Sequence, residues 1–421
     1  MVSKQYIPRL VDAQVERALR SSGAVLIEGS KACGKTSTAR QQAASLVRLD
    51  FDVDARRLGL NDPRSLLVGE TPRLIDEWQR VPEVWNAVRN EVDDRGVDGQ
   101  FILTGSATPA DDETRHSGAG RIARVTMRPM SLAESGDSDR SVSLADVLDG
   151  REIASAGVGE EARHVVELAC RGGWPLNLRR GLVEAMAANR DYLSAIAATD
   201  IRTIDGVKRD PRRVSALLFS LARNVATYVT RKRLASDAAD YGEAVLSDPT
   251  LRDYLDALVR LWIAVPQEAW GQSLRSSAQV AESPKWHLAD PSLAVAATRA
   301  TPELLATTES GYWGFVFESL VFRDFSVYAQ ALGGEIRAFR ETKSGQEIDL
   351  VYVNGPRWAG FEVKTSSLPE VVDRAATSLI RTAATLRVAQ PPAALGVIVP
   401  TGYSYRRPDG VYVLNIQHLA P

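Results

Sequence analysis

The sequence predicts a multidomain α/β protein, and three stretches carry that prediction. An apolar run at residues 24–27 leads into GSKACGKT at residues 29–36, which fits the pattern G-x-x-x-x-G-K-[ST]. Residues 74–77 form a second apolar run that ends in two acids. Residues 347–364 alternate as two strands that carry carboxylates and a lysine. Strands alternating with helices up to residue 130 predict a mostly parallel sheet with helices on both faces.

Length and composition restrict the class of protein. A chain of 421 residues is too long for a single core, so we expect about two to four domains. No apolar run approaches the roughly 20 residues that span a bilayer, and the first residues lack a signal-peptide core. We therefore expect a cytoplasmic protein with no membrane partner. A net charge of −2 disfavours a basic coat for nucleic acid, although a local groove can still bind a phosphate backbone.

Cysteine and histidine usage gives no sign of zinc or of disulfides. The chain has two cysteines, Cys33 and Cys170, which are far apart, and four scattered histidines. Neither a thiolate metal site nor zinc chemistry is therefore expected.

The phosphate-loop stretch predicts a nucleoside triphosphate site with Mg²⁺. Its glycines let successive backbone N–H groups converge on phosphate oxygens at the start of the next helix. Lys35 is expected to reach the β- and γ-phosphates, and the Thr36 hydroxyl to hold Mg²⁺. The residues predicted to contact the nucleotide here are Gly29, Ser30, Lys31, Ala32, Cys33, Gly34, Lys35, Thr36 and Ser37.

The acidic pair that ends the next apolar run suits the same chemistry. Asp76 is expected to hold the water shell of Mg²⁺, and Glu77 to polarise the attacking water. The alternative is that the two acids cap the N-terminus of a helix at residues 84–92. The position of the pair in a strand–helix alternation, 40 residues after Thr36, favours the functional interpretation.

Two further candidates follow in the chain. Residues 100–106 form a buried-strand candidate that ends in hydroxyls, so Thr104 or Ser106 is a candidate sensor of the γ-phosphate; the alternative is that they only turn the chain. A glycine-rich loop presents Arg121, with Arg115 as second choice. Such an arginine can stabilise charge on a transferring phosphoryl group, in the same subunit or in a neighbour, or be an ordinary surface arginine.

Together these motifs resemble ATP-binding proteins that join an AAA+-type ATPase to a C-terminal DUF4143 domain. The resemblance rests on GSKACGKT, RLIDEWQ, ILTGSA and SGAGRIARVTMRPMS. It implies ATP and Mg²⁺ as cofactors and a homo-oligomer, with a hexamer as the AAA+ expectation. One departure is that the sensor strand offers Thr104 and Ser106 where such ATPases usually have asparagine.

Residues 172–176, GGWPL, are similar to the G-x-P element in the helical lid of related signalling and origin-recognition ATPases. The resemblance implies that Pro175 packs on the base side of the nucleotide. Without it, the four residues Gly-Gly-Trp-Pro indicate only a helix-breaking turn.

The expected domains are an ATPase core (1–135), a helical lid and connector (136–208), a winged-helix-like domain (209–285) and a C-terminal α/β domain (286–421). The winged helix is predicted from helices at 211–222, 231–238 and 248–259, followed by a strand at 261–265. Arg252 and Arg260 are candidates for DNA phosphate contacts, or lie on a solvated helix face.

The C-terminal hairpin predicts a second site. If residues 354–357 form the turn, pairing 353 with 358 puts Asp349 opposite Glu362, close enough for both to hold one divalent ion. Lys364 shares a strand face with Glu362 and is suited to orient water or to neutralise a phosphodiester. Upstream, Glu318 lies on an aromatic helix stripe and needs a metal or Lys364 as partner.

These four residues resemble the motif of the PD-(D/E)xK nuclease fold, also called restriction-endonuclease-like, which DUF4143 domains are thought to share. The resemblance implies Mg²⁺ or Mn²⁺ at Glu318, Asp349 and Glu362. The alternative is an inert charge network in a module that only binds DNA or assembles.

The preferred hypothesis is an ATPase that binds and remodels branched or single-stranded DNA, with a nuclease-like module that either cuts or only binds. A second hypothesis is a nucleotide-controlled regulatory, defence or toxin switch that acts through a protein partner without cleavage. A third, an RNA-directed enzyme, differs only in substrate.

Overall fold

A computed structural model describes residues 6–106, 118–155, 157–201, 207–241, 246–271, 283–341 and 344–421. These residues form two compact units, each assembled from separate pieces of the chain. The first unit contains residues 1–129, 200–208 and 260–263, and the second contains 130–199, 209–259 and 264–421. The four predicted domains are a finer division than this and stay a prediction.

The first unit is built on a parallel sheet of five strands in the order β2-β3-β4-β1-β5. β1 and β4 are buried along their whole length, which explains their continuous apolar runs. Because all five strands run in the same direction, the carboxyl ends of β1, β3 and β4 lie next to one another at the same end of the sheet. The predicted parallel sheet is confirmed. The elements are β1 Ala24–Glu28, β2 Ser45–Arg48, β3 Arg73–Asp76, β4 Phe101–Gly105, β5 Ile122–Thr126, α1 Asp12–Leu19, α2 Lys35–Gln42, α3 Val53–Asn61 and α4 Val84–Arg95, with 3₁₀ turns Pro63–Leu67 and Trp78–Arg80.

The second unit begins with helices and one short strand. A group of three helices, α9 to α11, precedes the antiparallel strand pair β7–β8, and the winged-helix assignment of this stretch stays a prediction. β7 starts at Ala264 and not at residue 261, because Trp262 has a left-handed backbone (φ 60°) that interrupts extended structure. The elements are α5 Leu132–Ser135, β6 Val142–Ser143, α6 Leu144–Leu148, α7 Ala162–Arg171, α8 Leu182–Ala195, α9 Pro211–Arg223, α10 Arg231–Asp240, α11 Asp248–Arg260, β7 Ala264–Gln267 and β8 Lys285–Leu288.

The remaining part of the second unit is a mixed six-stranded sheet in the order β13-β14-β12-β11-β10-β9. The hairpin β10–β11 pairs Val353 with Trp358, so the predicted register is confirmed, although only Gly355 and Pro356 lie between the strands. The elements are α12 Pro291–Thr298, α13 Pro302–Ala306, α14 Ser310–Ala331, β9 Glu335–Glu341, β10 Gln346–Asn354, β11 Arg357–Val363, α15 Pro369–Thr385, β12 Leu395–Val399, β13 Tyr405–Arg406, β14 Tyr412–Asn415 and β15 Leu419–Ala420.

A buried ion network ties distant segments of the second unit together. Arg323 pairs with Asp290 at 2.9 Å and with Asp324 at 2.7 Å. The Asp290 carboxylate also accepts from the backbone N–H of Gly173, and Asp324 from that of Leu132, both at 2.9 Å. Burial raises the pKa of Asp324 to about 6. Such a network is tolerated in a core because almost every charge in it finds a partner.

The segment around β15 closes the second unit. β15 pairs in parallel with β6, and the backbone carbonyl of Leu419 accepts from the Ser138 hydroxyl at 2.7 Å. The Leu419 side chain is fully buried. In the part of the chain that the structure describes, no helix is both long and apolar enough to cross a membrane.

We expect Leu419→Ala to lower the free energy of unfolding of the second unit by about 2–5 kcal/mol, because it leaves a cavity in a closed core. Leu368→Ala, at a leucine in the same unit that is 57% exposed, is the matched control and should change it by less than about 0.5 kcal/mol. Denaturant unfolding followed by tryptophan fluorescence measures both. Equal effects of the two substitutions would contradict the closing role of β15.

Candidate functional site

The phosphate loop has a backbone that few side chains would permit. Gly29 has φ 151° and Gly34 has φ 111°, both in the region that favours glycine. A Cβ at Gly29 would lie 2.0 Å from the backbone oxygen of Met127, on the segment that follows β5. Ala32 also has a positive φ, of 65°. The loop therefore turns tightly against a neighbouring segment, as the sequence pattern predicted for a phosphate cradle.

Arg9, which the sequence analysis missed, fixes this loop through hydrogen bonds to its backbone. Its guanidinium is buried and donates to the backbone oxygens of Cys33 and Arg128, each at 2.8 Å. It therefore joins the phosphate loop to the segment after β5. No motif marks Arg9, because its role depends only on tertiary packing.

The two lysines of the loop lie in different environments. Lys35 is buried and donates to the backbone oxygens of Gly29 and Ser30, at 2.8 and 2.9 Å. Lys31 is exposed and pairs with Asp200 at 3.1 Å. Only Lys35 therefore lies inside the loop, although both were predicted to contact the nucleotide. The Ser30 hydroxyl is buried and has no hydrogen-bond partner among the described residues.

The Asp76 carboxylate is where three predicted residues meet. Its Oδ1 accepts from the Thr36 hydroxyl at 2.7 Å and from the Thr104 hydroxyl at 2.5 Å. This is possible because β4 lies between β1 and β3, which brings the ends of all three strands together. Arg48 Nε, which the sequence analysis did not single out, lies 3.7 Å from the other oxygen of Asp76.

Glu77 follows with a left-handed backbone, φ 58°. Gln79 donates to its carboxylate at 2.5 Å, and the Ser106 hydroxyl lies 3.2 Å from the same oxygen. The capping alternative for the acidic pair is not what the structure shows, since Glu77 makes no side-chain cap and α4 begins after Glu83. A non-glycine residue in this conformation costs about 1 kcal/mol or more, which is typical of functional positions.

Magnesium and a triphosphate fit the residues present. Mg²⁺ prefers oxygen ligands and keeps several of its waters, and a hydroxyl beside a carboxylate offers such ligands. Thr36 and Asp76 provide that pair. The unsatisfied hydroxyl of Ser30 and the buried ammonium of Lys35 suit phosphate oxygens.

One predicted nucleotide contact, Arg121, is not brought to the phosphate loop. Arg121 directly precedes β5, whose pairing with β1 starts at Ala24. It therefore lies at the amino ends of the strands, whereas Gly29 follows the carboxyl end of β1. It pairs there with Asp93 at 2.9 Å. This position does not support a role for Arg121 within its own subunit; a role in a neighbouring subunit and an ordinary surface ion pair are the two alternatives left. Arg115 lies outside the described residues, and Pro175 belongs to the second unit.

The second site lies on the hairpin β10–β11. Continuing its register by one pair puts Asp349 opposite Glu362, as predicted. Asp349 accepts from the backbone N–H of Val363 at 2.9 Å, and Lys364 donates to Glu362 at 2.9 Å. A β-bulge between Ile348 and Val351 interrupts the pairing with β9 at this point. Burial and the nearby Asp349 carboxylate raise the pKa of Glu362 to about 8.

Lys285, which no sequence pattern singled out, occupies the middle of this acidic group. Its ammonium lies 2.6 Å from Glu318, 2.6 Å from Glu347 and 3.4 Å from Asp349. Burial alone would lower the pKa of Lys285, but these three carboxylates more than offset this and raise it well above its usual value. Burial, with the Asp349 charge, raises the pKa of Glu318 to about 8.

The predicted metal set of Glu318, Asp349 and Glu362 is therefore corrected. Within the described ranges, no group of three or more His, Cys, Asp or Glu side chains is arranged to hold a metal ion. Lys285 places a positive charge between Glu318 and Asp349, and Lys364 pairs with Glu362. A divalent ion does not fit this centre as it stands.

Three family models match separate parts of the chain. They are an AAA domain at residues 21–136, a domain of unknown function (DUF8612) at residues 162–304, and a domain of unknown function (DUF4143) at residues 313–419. The expectation of an AAA domain followed by a DUF4143 domain is confirmed. The AAA match supports ATPase activity. The DUF8612 match was not expected and overlaps the stretch assigned to the lid and the winged helix.

Curated relatives and solved structures are more distant. Uncharacterized proteins of Mycobacterium bovis and Mycobacterium tuberculosis are each 27% identical over 374 residues, which cover 85% of this chain and 74% of theirs. The Walker-type ATPase of Pyrococcus abyssi is 14% identical, with 70% of this chain and 97% of that chain covered at a TM-score of 0.43. Drosophila ORC bound to DNA is 13% identical, with 71% and 89% covered at a TM-score of 0.22. These scores are too low to assign a fold.

We expect Gly29→Ala to abolish ATP binding, because the added Cβ would collide with the Met127 carbonyl. Gly96→Ala is the matched control: Gly96 also has a positive φ, of 62°, but a Cβ there meets nothing within 4 Å. Titration with a fluorescent ATP analogue measures both variants. Unchanged affinity in Gly29→Ala would contradict the tight packing of the loop.

Proposed function

We propose that the first unit binds and hydrolyses ATP at the carboxyl ends of the strands of its parallel sheet. The observation that carries the proposal is the Asp76 carboxylate, which accepts hydrogen bonds from Thr36, at the end of the phosphate loop, and from Thr104, at the end of β4. A carboxylate held in this way is suited to a metal–nucleotide complex bound in the loop. The AAA-domain match over residues 21–136 supports the same conclusion.

Each residue of the site has a role in this proposal. Lys35 exchanges its backbone carbonyl partners for the β- and γ-phosphate oxygens, and Thr36 and Asp76 hold Mg²⁺ with its waters. Mg²⁺, when bound, neutralises charge on the phosphates. Glu77 accepts a proton from the attacking water, with Gln79 and Ser106 orienting its carboxylate. Thr104 links the end of β4 to Asp76 and, in this proposal, reports on γ-phosphate loss.

The proposed ATPase assembles as a homo-oligomer in which Arg121 acts on the nucleotide of a neighbouring subunit. Arg121 is 44% exposed at the end of the sheet away from its own phosphate loop, which is a position that a neighbouring subunit can reach. A hexamer is the arrangement suggested by the AAA+ resemblance. Pro175 is proposed to contact the base.

DNA, branched or single-stranded, is the proposed polymer partner. The support is the helix group α9–α11 followed by the strand pair β7–β8, an arrangement used to bind DNA. The residues Arg231, Lys232 and Arg233 at the start of α10 are exposed and offer positive charge, although Arg231 is paired with Asp248 and Arg233 with Asp237. α11 is less suitable than expected, because Arg252 is paired with Asp248 and the exposed side of the helix is mainly acidic.

The C-terminal part is proposed to be a nuclease-like module that does not cleave. The succession α14, β9–β10–β11, α15 and β12, with β12 parallel to β11, supports the proposed restriction-endonuclease-like fold. Lys285 among the carboxylates disfavours metal-dependent cleavage. This observation disfavours a DNA-cutting machine. A DNA-binding ATPase with a non-cutting module and a nucleotide-controlled switch that acts through a protein partner are the two alternatives left.

We expect Lys35→Ala to reduce ATP turnover to below about 1% of the wild-type rate, because the lysine stabilises charge on the transferring phosphate. Glu77→Gln should still bind ATP but turn it over about 100-fold more slowly or worse. Lys31→Ala, at the exposed lysine of the same loop, is the control and should keep most of the activity. Phosphate release measures turnover. Equal losses in Lys31→Ala and Lys35→Ala would refute the proposed site.

We expect replacement of Arg231, Lys232 and Arg233 by alanine to weaken DNA binding and to flatten its salt dependence. Each lost contact to a duplex phosphate removes about 0.9 from the slope of log affinity against log salt. Arg163→Ala, at an exposed arginine of α7 in the same unit, is the control and should leave the slope unchanged. Fluorescence anisotropy with single-stranded, branched and linear DNA measures this. ATP turnover that responds to a protein and to no form of DNA would instead establish the switch.

A further inference from the structure

Lys285 is held at the centre of the C-terminal acidic group more completely than a surface lysine could be. Only 2% of its side chain is exposed. Its ammonium has three carboxylate partners, Glu318 from α14 and Glu347 and Asp349 from β10. The ring of Tyr228 lies 5.4 Å from the same nitrogen, so its remaining face meets a π-system. Three carboxylates and one aromatic ring therefore surround the Lys285 ammonium.

The position of Lys285 is fixed by its own strand. β8 pairs with β7, and Lys285 lies opposite Gln267. Gln267 in turn donates to the backbone oxygen of Asp349 at 2.8 Å and lies 3.0 Å from His287. The lysine backbone and the backbone of Asp349 are therefore held by one hydrogen-bonded group. Its ammonium enters the acidic centre because of the strand register and not because a flexible side chain happens to reach it.

A buried cation of this kind is expensive unless the carboxylates around it need it. Removing one partner of a buried ion group leaves uncompensated charge, which destabilises a fold strongly. Two lysines face the four carboxylates Glu318, Glu347, Asp349 and Glu362: Lys285 lies inside the group and Lys364 on Glu362, and together they carry a charge of +2. The centre therefore has the charge that a divalent ion would otherwise provide.

We propose that Lys285 is a tethered cation that replaces the divalent ion of a nuclease-like centre, so that the C-terminal module is folded and complete without metal. This inference rests on the proposed nuclease-like module. It gives the module a binding or regulatory role and assigns cleavage chemistry to none of its residues. It also means that the metal site is latent: the carboxylates that would hold an ion are present, and one side chain excludes it.

Geometry supports the latent site. Two carboxylate oxygens lie 2.6 Å from the Lys285 nitrogen, which is at the upper end of the distances at which Ca²⁺ takes oxygen ligands, about 2.3–2.6 Å. With the lysine side chain removed, Glu318, Glu347 and Asp349 would converge on one point and repel each other. An ion of charge +2 would then relieve this repulsion better than water could.

The test is the number of Mn²⁺ ions bound by the full chain without nucleotide, measured from the electron paramagnetic resonance signal of free Mn²⁺. Lys285→Ala should bind one more Mn²⁺ ion than the wild type. Its affinity for this additional ion should be at least about tenfold higher than that of the same centre in the wild type. It should also melt about 5 °C or more below the wild type in EDTA and recover with Mn²⁺. Ions bound near Asp76 cancel in this comparison.

Two controls make the outcome specific. Lys364→Ala removes a lysine that contacts Glu362 and keeps Lys285, so it should gain no ion. Lys285→Ala combined with Asp349→Asn should lose the additional ion. No additional ion in Lys285→Ala, or the same gain in Lys364→Ala, overturns the proposal.

The wild-type protein gives a second and independent answer if Lys285→Ala does not fold. Its Mn²⁺ binding should be the same with and without Asp349→Asn, and it should leave DNA intact with Mg²⁺ and with Mn²⁺. Binding or cleavage that depends on Asp349 in the wild type overturns the tethered cation. ATP turnover is measured in the same experiment, with Lys35→Ala as a further variant. A failure of the ATPase proposal appears as unchanged turnover in Lys35→Ala, whereas a failure of the tethered cation appears only in Mn²⁺ binding.

Discussion

The nucleotide site depends on one carboxylate that is shared by two hydroxyls. Asp76 can accept from both Thr36 and Thr104 only because β4 lies between the strand that leads into the phosphate loop and the strand that ends in Asp76. The phosphate loop is therefore connected to Asp76 and to the end of β4 through two hydrogen bonds. Arg9 and the tight approach of Gly29 to Met127 keep the loop in the position where this connection can form.

The second unit uses buried cations in two different ways. Arg323 satisfies Asp290 and Asp324, whose remaining oxygens accept from the backbone of distant segments, and the result is a structural joint. Lys285 is paired with three carboxylates, those of Glu318, Glu347 and Asp349. Among the hydrogen bonds described here, only Asp349 also accepts from a backbone N–H, that of Val363. The first arrangement fixes the fold, and the second fixes the charge of a site.

Sequence reasoning succeeded where the determinant is local. The phosphate loop, the acidic end of β3 and the register of β10–β11 follow from residue types at short spacing, and the structure has the last of these as expected. Arg9, Arg48 and Lys285 could not be found in this way, because each acts on groups far away in the sequence. The late start of β7 is a smaller case: the apolar run at residues 261–265 indicates a strand, but the left-handed backbone of Trp262 is set by tertiary context.

The pairing of β15 with β6 bears on when the second unit can fold during synthesis. Strand β6, at residues 142–143, has no pairing strand until residues 419–420 are made. The Leu419 carbonyl, one of two acceptors for the Tyr328 hydroxyl, comes from the same late segment. Contacts of such long sequence separation form late and leave apolar surface open in the meantime. A nascent chain that has passed residue 400 thus still exposes the pocket that Leu419 fills, and a chaperone could recognise it there.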